Sequence, residues 1–181
     1  ITVLPGDGIG TEVTTEAIKV LEVVARSFGH QLDLAQKIVG GRAIKEAGEP
    51  LPADTLAACL QSRAVLLGAV GAPEFDNYPT DKRPEAGLLR LRRELGAFAN
   101  IRPAKLFNGL AHSSPLKPEV ISGTDVVIIR ELLGGLYFGE PRGITDNGGV
   151  REGSNTMRYR EPEVERIARV AFETARSRRR R

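Results

Sequence analysis

The stretch AVLLGAV, Ala64 to Val70, is an uninterrupted apolar run in the first half of a 181-residue chain. A run of this length without polar alternation is typical of a parallel β-strand that is covered on both faces. Ile1 to Leu4 and Leu32 to Val39 are further candidate strands, and the residues from Val13 to Val24 place apolar side chains at helical spacing between them. Strands that alternate with helices predict an α/β fold.

The alternation continues beyond this run. Gly71 to Pro84 reads as a long polar loop, followed by a helix from about Glu85 to Leu95 and a strand from Phe98 to about Leu106. Asp125 to Leu132 is predicted as a second buried strand. Gly134 to Asn155 is glycine-rich and irregular, which is typical of a hairpin or an extended arm.

The bulk composition is that of a folded globular protein, with 41% hydrophobic and 27% charged residues. The single cysteine, Cys59, excludes an internal disulfide framework and fits a reducing compartment. No apolar run approaches the roughly 18 residues of a membrane span, and no signal peptide is recognisable. We therefore expect a cytoplasmic protein with no membrane partner. Because the first residue is Ile1 rather than Met, we also expect the chain to be a fragment.

The basic character of the chain comes from its last residues. A final helix is predicted from Pro162, and it ends in ARSRRRR, where Arg176 and residues 178–181 supply five of the 26 basic residues. Without them, 21 basic residues face 23 acidic ones, and the formal net charge changes from +3 to −2. Cations at a helix C-terminus complement the helix dipole. A nucleic-acid hook is the alternative, but no aromatic residue or second basic patch accompanies the run, so we expect no nucleic-acid partner.

The sequence GDGIG, Gly6 to Gly10, follows a predicted strand and opens a helix, which is the setting of a dinucleotide-binding fingerprint. Its spacing does not fit G-x-G-x-x-G, because Thr11 follows Gly10. A tight turn that needs positive φ angles accounts for two of the glycines without a ligand. The motif predicts a turn, and close approach of a ligand to the backbone is the alternative.

The predicted helix after Pro84 carries a candidate ligand-binding face. Glu85, Leu88, Leu89 and Arg92 lie at positions i, i+3, i+4 and i+7 and therefore share one side. Two leucines between an acidic and a basic residue suit the wall of a pocket for a ligand that is part anionic and part alkyl. The alternative is an amphipathic boundary on which Arg92 extends over a leucine patch.

Two further arginines support an anionic ligand. Arg102 lies within a predicted strand, and Arg130 ends another, where open α/β sheets bind ligands beyond the carboxyl ends of their strands. With Arg92, they could hold a small dicarboxylate through bidentate hydrogen bonds. The alternative for Arg130 is a structural ion pair, with Glu94 as one possible partner. Tyr137 is the nearby ionisable residue suited to proton transfer.

Five segments in chain order resemble one enzyme family over essentially the whole chain: LPGDGIG, LLGAVGAPEFD, RPEAGLLRLRRELGAFANIRPAK, VVIIRELLGGLYFGEPRG and TMRYREPEVERIARVAFETAR. They are similar to the isocitrate/isopropylmalate β-decarboxylating dehydrogenases, and to the 3-isopropylmalate branch in particular. The resemblance implies NAD-dependent oxidation of 3-isopropylmalate to 2-isopropyl-3-oxosuccinate, which loses CO₂ to give 4-methyl-2-oxopentanoate in leucine biosynthesis.

The resemblance also implies roles for individual residues. It assigns Arg92, Arg102 and Arg130 to the carboxylates and hydroxyl of the substrate, and Tyr137 to proton donation in the decarboxylation half of the reaction. The residues implied to line the nicotinamide side of NAD are Ala72, Pro73, Glu74, Phe75, Asp76, Asn77, Tyr78, Pro79, Thr80, Asp81, Lys82, Arg83, Pro84 and Glu85.

Leu88 and Leu89 are implied to form the pocket for the isopropyl group, since related isocitrate enzymes present polar residues there. Arg90 and Arg93 are expected to be ordinary surface charges. Two alternatives remain for the whole chain. One is a sister dehydrogenase for homoisocitrate, tartrate or another malate-type substrate. The other is a naturally truncated, non-catalytic binding module.

The implied architecture is a two-domain isopropylmalate-dehydrogenase-like α/β fold with mixed sheets flanked by helices, here truncated. Residues 1–97 would form the N-terminal part of the first domain, on the cofactor side, and 98–181 the incomplete second domain, with an intersubunit arm at about 143–159 of a homodimer. The family uses Mg²⁺ or Mn²⁺, whose ligands we expect beyond Arg181 and none in this segment. We therefore expect the segment alone to be inactive and poorly soluble.

Overall fold

A computed structural model describes residues 1–179, apart from the side chain of residue 108. The chain divides into two compact units, Ile1–Gly96 (unit 1) and Ala97–Arg181 (unit 2). This division falls one residue before the domain boundary that the sequence predicted.

Unit 1 is built on a three-stranded parallel sheet. Its strands are β1 (Thr2–Gly6), β2 (Ala35–Gln36) and β3 (Val65–Ala69), and β1 lies between the other two. Thr2 registers with Val65, and Gly6 with Ala69. β1 is buried along its whole length, as its central position requires. β3 pairs in parallel as predicted, but it is only half-buried, so the expected cover on both of its faces is incomplete within the described residues.

Four helices accompany this sheet: α1 (Ile9–Ser27), α2 (Gly41–Ala47), α3 (Ala53–Gln61) and α4 (Pro84–Glu94). A cluster of buried apolar residues joins α3 and α4 to the sheet: Leu4, Val39, Leu51, Cys59 and Leu91. α4 lies within one residue of its predicted bounds. No helix within residues 1–179 is both long and apolar enough to cross a bilayer.

The strand predicted from Leu32 to Val39 was too long. Only Ala35 and Gln36 pair with β1, at the edge of the sheet, and both are exposed. Val39 is fully buried, but it belongs to the loop that enters α2. The apolar residues therefore marked a segment that touches the core at one end rather than a continuous strand.

Unit 2 contains two antiparallel strand pairs and two helices: β4 (Ala99–Lys105), α5 (Pro118–Ile121), β5 (Asp125–Glu131), β6 (Arg142–Asn147), β7 (Val150–Asn155) and α6 (Glu161–Ser177). β4 pairs with β5, and β6 pairs with β7. β6 and β7 form a fully exposed hairpin whose turn contains Gly148 and Gly149, both at positive φ. The glycine-rich segment is thus a hairpin, one of the two forms predicted for it.

The prediction that β5 is buried on both faces was wrong. Its residues alternate, with odd-numbered side chains half-buried and even-numbered ones exposed. The covered face packs near α6, which contacts β5. β5 is also antiparallel to β4, so the parallel-sheet rule does not account for the position of Arg130 at its end.

Candidate functional site

The exposed face of the β4–β5 pair brings two predicted arginines together. Asn100 lies opposite Arg130, and Arg102 lies opposite Ile128. Directly paired residues of an antiparallel ladder project to the same face, and diagonal neighbours lie roughly 7–8 Å apart. Arg102 Nε donates to Asn100 Oδ1 at 2.7 Å, which orients its guanidinium along the strand. Arg102 and Arg130 therefore present two positive charges on one surface.

Tyr137 joins this surface through Arg130. Beyond β5 the chain turns at Gly134 and enters a 3₁₀ turn, Gly135–Tyr137. The Tyr137 hydroxyl oxygen accepts a hydrogen bond from Arg130 Nη2, and the Arg130 guanidinium carbon lies 5.1 Å from the centre of the tyrosine ring. Unit 2 therefore holds a phenol and two guanidinium groups side by side.

Among the described residues, neither arginine of this surface is neutralised. Within residues 1–179, no carboxylate pairs with Arg102 or Arg130. The structural ion pair considered for Arg130 is thus not found there. Both side chains are exposed, so their charges are available to an anionic ligand.

In unit 1, the candidate face of α4 is separate from its core-facing side. The buried residues of the helix are Pro84, Gly87 and Leu91. Leu88, Leu89 and Arg92 are half-buried beside that side, and Glu85 is exposed. The leucines therefore offer apolar surface that the core of unit 1 does not use up.

Arg90, predicted as an ordinary surface charge, has contacts with two other residues of unit 1. Its Nη1 lies 3.5 Å from the Leu51 carbonyl oxygen and 3.5 Å from Glu49 Oε2, with 43% of its side chain exposed. An exposed ion pair of this length contributes little to stability. Arg93 is exposed.

The loop implied to contact NAD contains both buried residues that pack in unit 1 and residues whose side chains could contact a ligand. Phe75 is 4% exposed and packs edge-to-face on Tyr78, with ring centres 4.9 Å apart. Lys45 Nζ lies 2.5 Å from Glu74 Oε1, and this hydrogen bond lowers the pKa of the Glu74 carboxyl and raises that of Lys45. Phe75 and Pro84 are buried and serve the packing of unit 1. The other residues of the loop, from 72 to 85, are exposed or half-buried.

Sequence reasoning missed Asp7, a buried carboxylate that ties three segments together. Its Oδ2 accepts from Gly41 N at 2.8 Å and from Gly71 N at 3.0 Å, and its Oδ1 accepts from Arg42 N at 2.9 Å. Gly71 is the residue directly before the candidate NAD loop. An acidic residue inside a glycine turn, at the end of a buried strand, was the available signal.

The glycines around Asp7 serve chain packing. Gly6 and Gly8 have positive φ angles of 75° and 50°, which confirms the predicted turn. A side chain at Gly10 would overlap the Pro5 carbonyl oxygen and the Ala69 backbone nitrogen. This close approach joins α1 to the sheet. Chain packing therefore accounts for the glycine at position 10 without a bound dinucleotide.

The basic tail folds back onto unit 2. Arg178 Nη2 lies 2.7 Å from Asp125 Oδ1, and Arg179 Nη1 lies 3.2 Å from Asp125 Oδ2. The hydrogen bond from Arg178, together with the charges of both arginines, holds the pKa of the Asp125 carboxyl below its usual value. These contacts favour a structural role for this part of the tail. Arg180 and Arg181 lie outside the described residues.

The donors on these surfaces suit an anionic ligand rather than a cation. Among residues 1–179, no group of three or more His, Cys, Asp or Glu side chains is arranged to hold a metal ion.

The isocitrate/isopropylmalate dehydrogenase family matches the chain over residues 1–181. The chain belongs to this family. It is similar to 3-isopropylmalate dehydrogenase from Aquifex aeolicus, with 53% identity over 179 residues that cover 99% of this chain and 49% of the relative. The same enzyme from Thermosynechococcus vestitus is 57% identical, over 98% of this chain and 50% of the relative. The chain thus spans about half the length of the curated relatives it matches.

Solved structures of the family agree. Isocitrate dehydrogenase from Methylococcus capsulatus superposes with a TM-score of 0.75 at 28% identity, over 97% of this chain and 47% of that one. A β-decarboxylating dehydrogenase from Thermococcus kodakarensis superposes with a TM-score of 0.65 at 31% identity, over 97% of this chain and 45% of that one. The resemblance inferred from the sequence and the α/β fold class are both confirmed.

Proposed function

We propose that this chain is part of an NAD-dependent 3-isopropylmalate dehydrogenase of leucine biosynthesis. The enzyme would oxidise 3-isopropylmalate at its hydroxyl carbon, and 2-isopropyl-3-oxosuccinate would then lose CO₂ to give 4-methyl-2-oxopentanoate. The observation that carries the proposal is the unneutralised pair Arg102 and Arg130 on one face, with Tyr137 hydrogen-bonded to Arg130, in a chain of this family.

The arginines are proposed to bind the two carboxylates of the substrate. A guanidinium group donates two parallel hydrogen bonds to a carboxylate, which fixes its orientation as well as its position. Arg92 of α4 would supply a third cation. The two guanidinium groups of unit 2 already favour a doubly charged malate over a neutral or cationic molecule.

Tyr137 is proposed to donate the proton after decarboxylation. Its oxygen accepts the hydrogen bond from Arg130, so its own O–H remains available as a donor. Arg130 would thus both bind the substrate and orient the phenol. A positioned proton donor of this kind typically contributes about 10²–10⁴-fold to the rate.

Leu88 and Leu89 are proposed to select the isopropyl substituent. They are half-buried, outside the core-facing side of α4, and lie one helical turn before Arg92 on the same side of the helix. Contacts with a few methyl groups are worth about 1–3 kcal/mol of discrimination. This selection separates the proposed substrate from unsubstituted malate.

The proposed cofactors are NAD, as hydride acceptor, and Mg²⁺ or Mn²⁺, which stabilises negative charge on the substrate oxygen when bound. The exposed residues of the 72–85 loop would contact the nicotinamide side of NAD. Because no ligand cluster for a metal lies within residues 1–179, we assign no step of this segment to the metal. We propose that the segment needs the remainder of an enzyme of this family to turn over substrate.

The proposed dimer arm of a cytoplasmic homodimer, at about 143–159, overlaps most of the β6–β7 hairpin. It exposes two large apolar side chains, Ile144 at 67% and Val150 at 69%. An exposed hairpin with apolar residues is typical of a surface that pairs with another chain.

The test is a hybrid enzyme in which this chain replaces the matching half of the Aquifex aeolicus relative. NADH formation is measured with 3-isopropylmalate, isocitrate and tartrate in parallel. We expect the highest kcat/KM with 3-isopropylmalate and no NADH from the 181-residue chain alone. A higher kcat/KM with isocitrate or tartrate would identify a sister dehydrogenase. A folded hybrid that is inactive on all three would favour a non-catalytic binding module.

A further inference from the structure

Glu131 lies next to Arg130 but projects to the opposite, covered face of β5. Its side chain is 8% exposed. A carboxylate that is buried in this way must be paired and hydrogen-bonded, because an isolated buried charge is strongly unfavourable. The substrate roles proposed above do not involve Glu131, so its burial requires a separate account.

Each carboxylate oxygen of Glu131 has its own partner. Oε1 lies 2.8 Å from Nη2 of Arg166 on α6, and Oε2 accepts from the backbone N–H of Gly134 at 2.7 Å. The Arg166 guanidinium lies 4.8 Å from the centre of the Phe98 ring. Its Nε is buried without a hydrogen-bond partner in the described part of the chain, so the Nη2 contact with Glu131 is where this guanidinium meets a carboxylate.

The Glu131–Gly134 bond fixes the turn that leads from β5 to Tyr137. Gly134 is buried, and a side chain there would come within 3.3 Å of the Tyr159 ring. The next residue, Gly135, has φ of +61°, and a side chain there would overlap the Tyr159 hydroxyl. The Gly135 N–H donates to the Arg158 carbonyl at 3.0 Å. The turn is therefore held between Glu131 on one side and the 158–159 backbone and ring on the other.

We propose that Glu131 and Arg166 are positioning residues, which hold this turn in the conformation that brings the Tyr137 hydroxyl to Arg130. This proposal deepens the function proposed above and rests on it for its catalytic consequence. Its structural core does not depend on the substrate. A buried ion pair is weak evidence for stability, but it can fix one conformation among several, and here it links a helix, a strand end and a catalytic turn.

The structural consequence is tested by NMR on the folded hybrid enzyme with ¹³Cζ-labelled tyrosine. The chain contributes three tyrosines to the hybrid. The Tyr137 signal is assigned with a Tyr137→Phe variant, and the Tyr78 signal, assigned with Tyr78→Phe, serves as an internal reference in unit 1. We expect Arg166→Gln and Glu131→Gln each to move the Tyr137 signal in the same direction as Arg130→Lys. The double variant should move it no further than either single one, since both changes break one pair.

A matched control removes an ion pair from the same helix. Arg169 Nη2 lies 2.8 Å from Glu165 Oε1, but both side chains are about two-thirds exposed. Arg169→Gln should leave the Tyr137 signal unchanged. An equal shift in Arg169→Gln would overturn the proposal, because the effect would then come from α6 in general. An unchanged Tyr137 signal in both Arg166→Gln and Glu131→Gln would overturn it as well.

The catalytic consequence is tested in the hybrid enzyme. Arg166→Gln should lower kcat about tenfold or more and change KM for NAD less than about twofold. Glu131→Asp, which retains the charge, should recover part of kcat if Glu131→Gln folds poorly. A fall in kcat without a Tyr137 shift would overturn positioning. A Tyr137 shift in a folded hybrid whose parent has no activity would support positioning and refute the proposed function.

Discussion

Replacing Asp7 with alanine should destabilise unit 1 by several kcal/mol. The change removes the acceptor of three backbone N–H groups, those of Gly41, Arg42 and Gly71. A buried donor left without a partner costs about 1–3 kcal/mol. The donors at Arg42 and Gly71 are only partly buried, so water would replace part of what they lose. We therefore expect a loss of about 3–5 kcal/mol, a large part of the roughly 5–15 kcal/mol typical of a domain.

Asp7→Asn refines this expectation. The amide retains the shape of the side chain and one carbonyl oxygen, which can still accept from Gly41 and Gly71. Its NH₂ group would face the Arg42 N–H, so at least one hydrogen bond is lost and two donors oppose each other. We expect a loss of about 1–2 kcal/mol, between wild type and Asp7→Ala.

Cys59 supplies an assay confined to unit 1. It is the only cysteine of the chain, and it is 1% exposed in the core cluster of unit 1. Its reaction with a thiol reagent over a urea series therefore reports the unfolding of this unit. Asp33→Ala, at an exposed aspartate, is the matched control. Its free energy of unfolding should stay within about 0.5 kcal/mol of the wild-type value. If the free energy of unfolding of unit 1 in Asp7→Ala lies within about 1 kcal/mol of the wild-type value, the reasoning about the three donors is wrong.

Three further predictions follow from the surfaces of the molecule. In the hybrid enzyme, Arg130→Lys should reduce kcat/KM far more than Arg90→Lys at a similar melting temperature, because an ammonium group cannot reproduce the planar, bidentate hydrogen bonding of a guanidinium group. Unfolding of the Arg130→Lys variant would instead indicate a structural role for Arg130. The Asp125 carboxyl should titrate below its ordinary pKa by ¹³C NMR, and Arg178→Gln should raise that pKa. Its contribution to stability should be complete above the ordinary carboxyl pKa and be lost as the pH falls through the lowered value, and an unshifted Asp125 would contradict the ion pair. Deleting residues 142–155 should convert the hybrid from dimer to monomer in light scattering, whereas a dimer that persists would exclude the arm as the main interface.

The features that the sequence predicted well depend on nearby residues. The bounds of α4, β4 and β5 were each within about one residue, because helical spacing, strand composition and flanking Gly or Pro are local signals. Tyr137 was also expected near Arg130, only seven positions away, and the two are hydrogen-bonded. The family resemblance likewise depended on contiguous segments.

The features that were missed depend on pairing between distant residues. Asp7 contacts Gly71, 64 residues away, and Glu131 contacts Arg166, 35 residues away. No periodicity indicates which distant partner a buried carboxylate takes. The same limitation explains the error on β5, because a continuous apolar run does not reveal whether one face or two will be covered.

The most direct test of the central claim is the specificity of the hybrid enzyme for the alkyl substituent. The measurement is the ratio of kcat/KM for 3-isopropylmalate to kcat/KM for malate, in the parent hybrid and in its Leu88→Ser and Leu89→Ser variants. The proposed pocket predicts a parent ratio well above one and a fall of about 5–150-fold in each variant, equivalent to about 1–3 kcal/mol of lost alkyl contact. Leu60→Ser, at an exposed leucine of α3, should leave the ratio unchanged. An unchanged ratio in Leu88→Ser and Leu89→Ser would contradict the assignment of this face of α4 to the substrate.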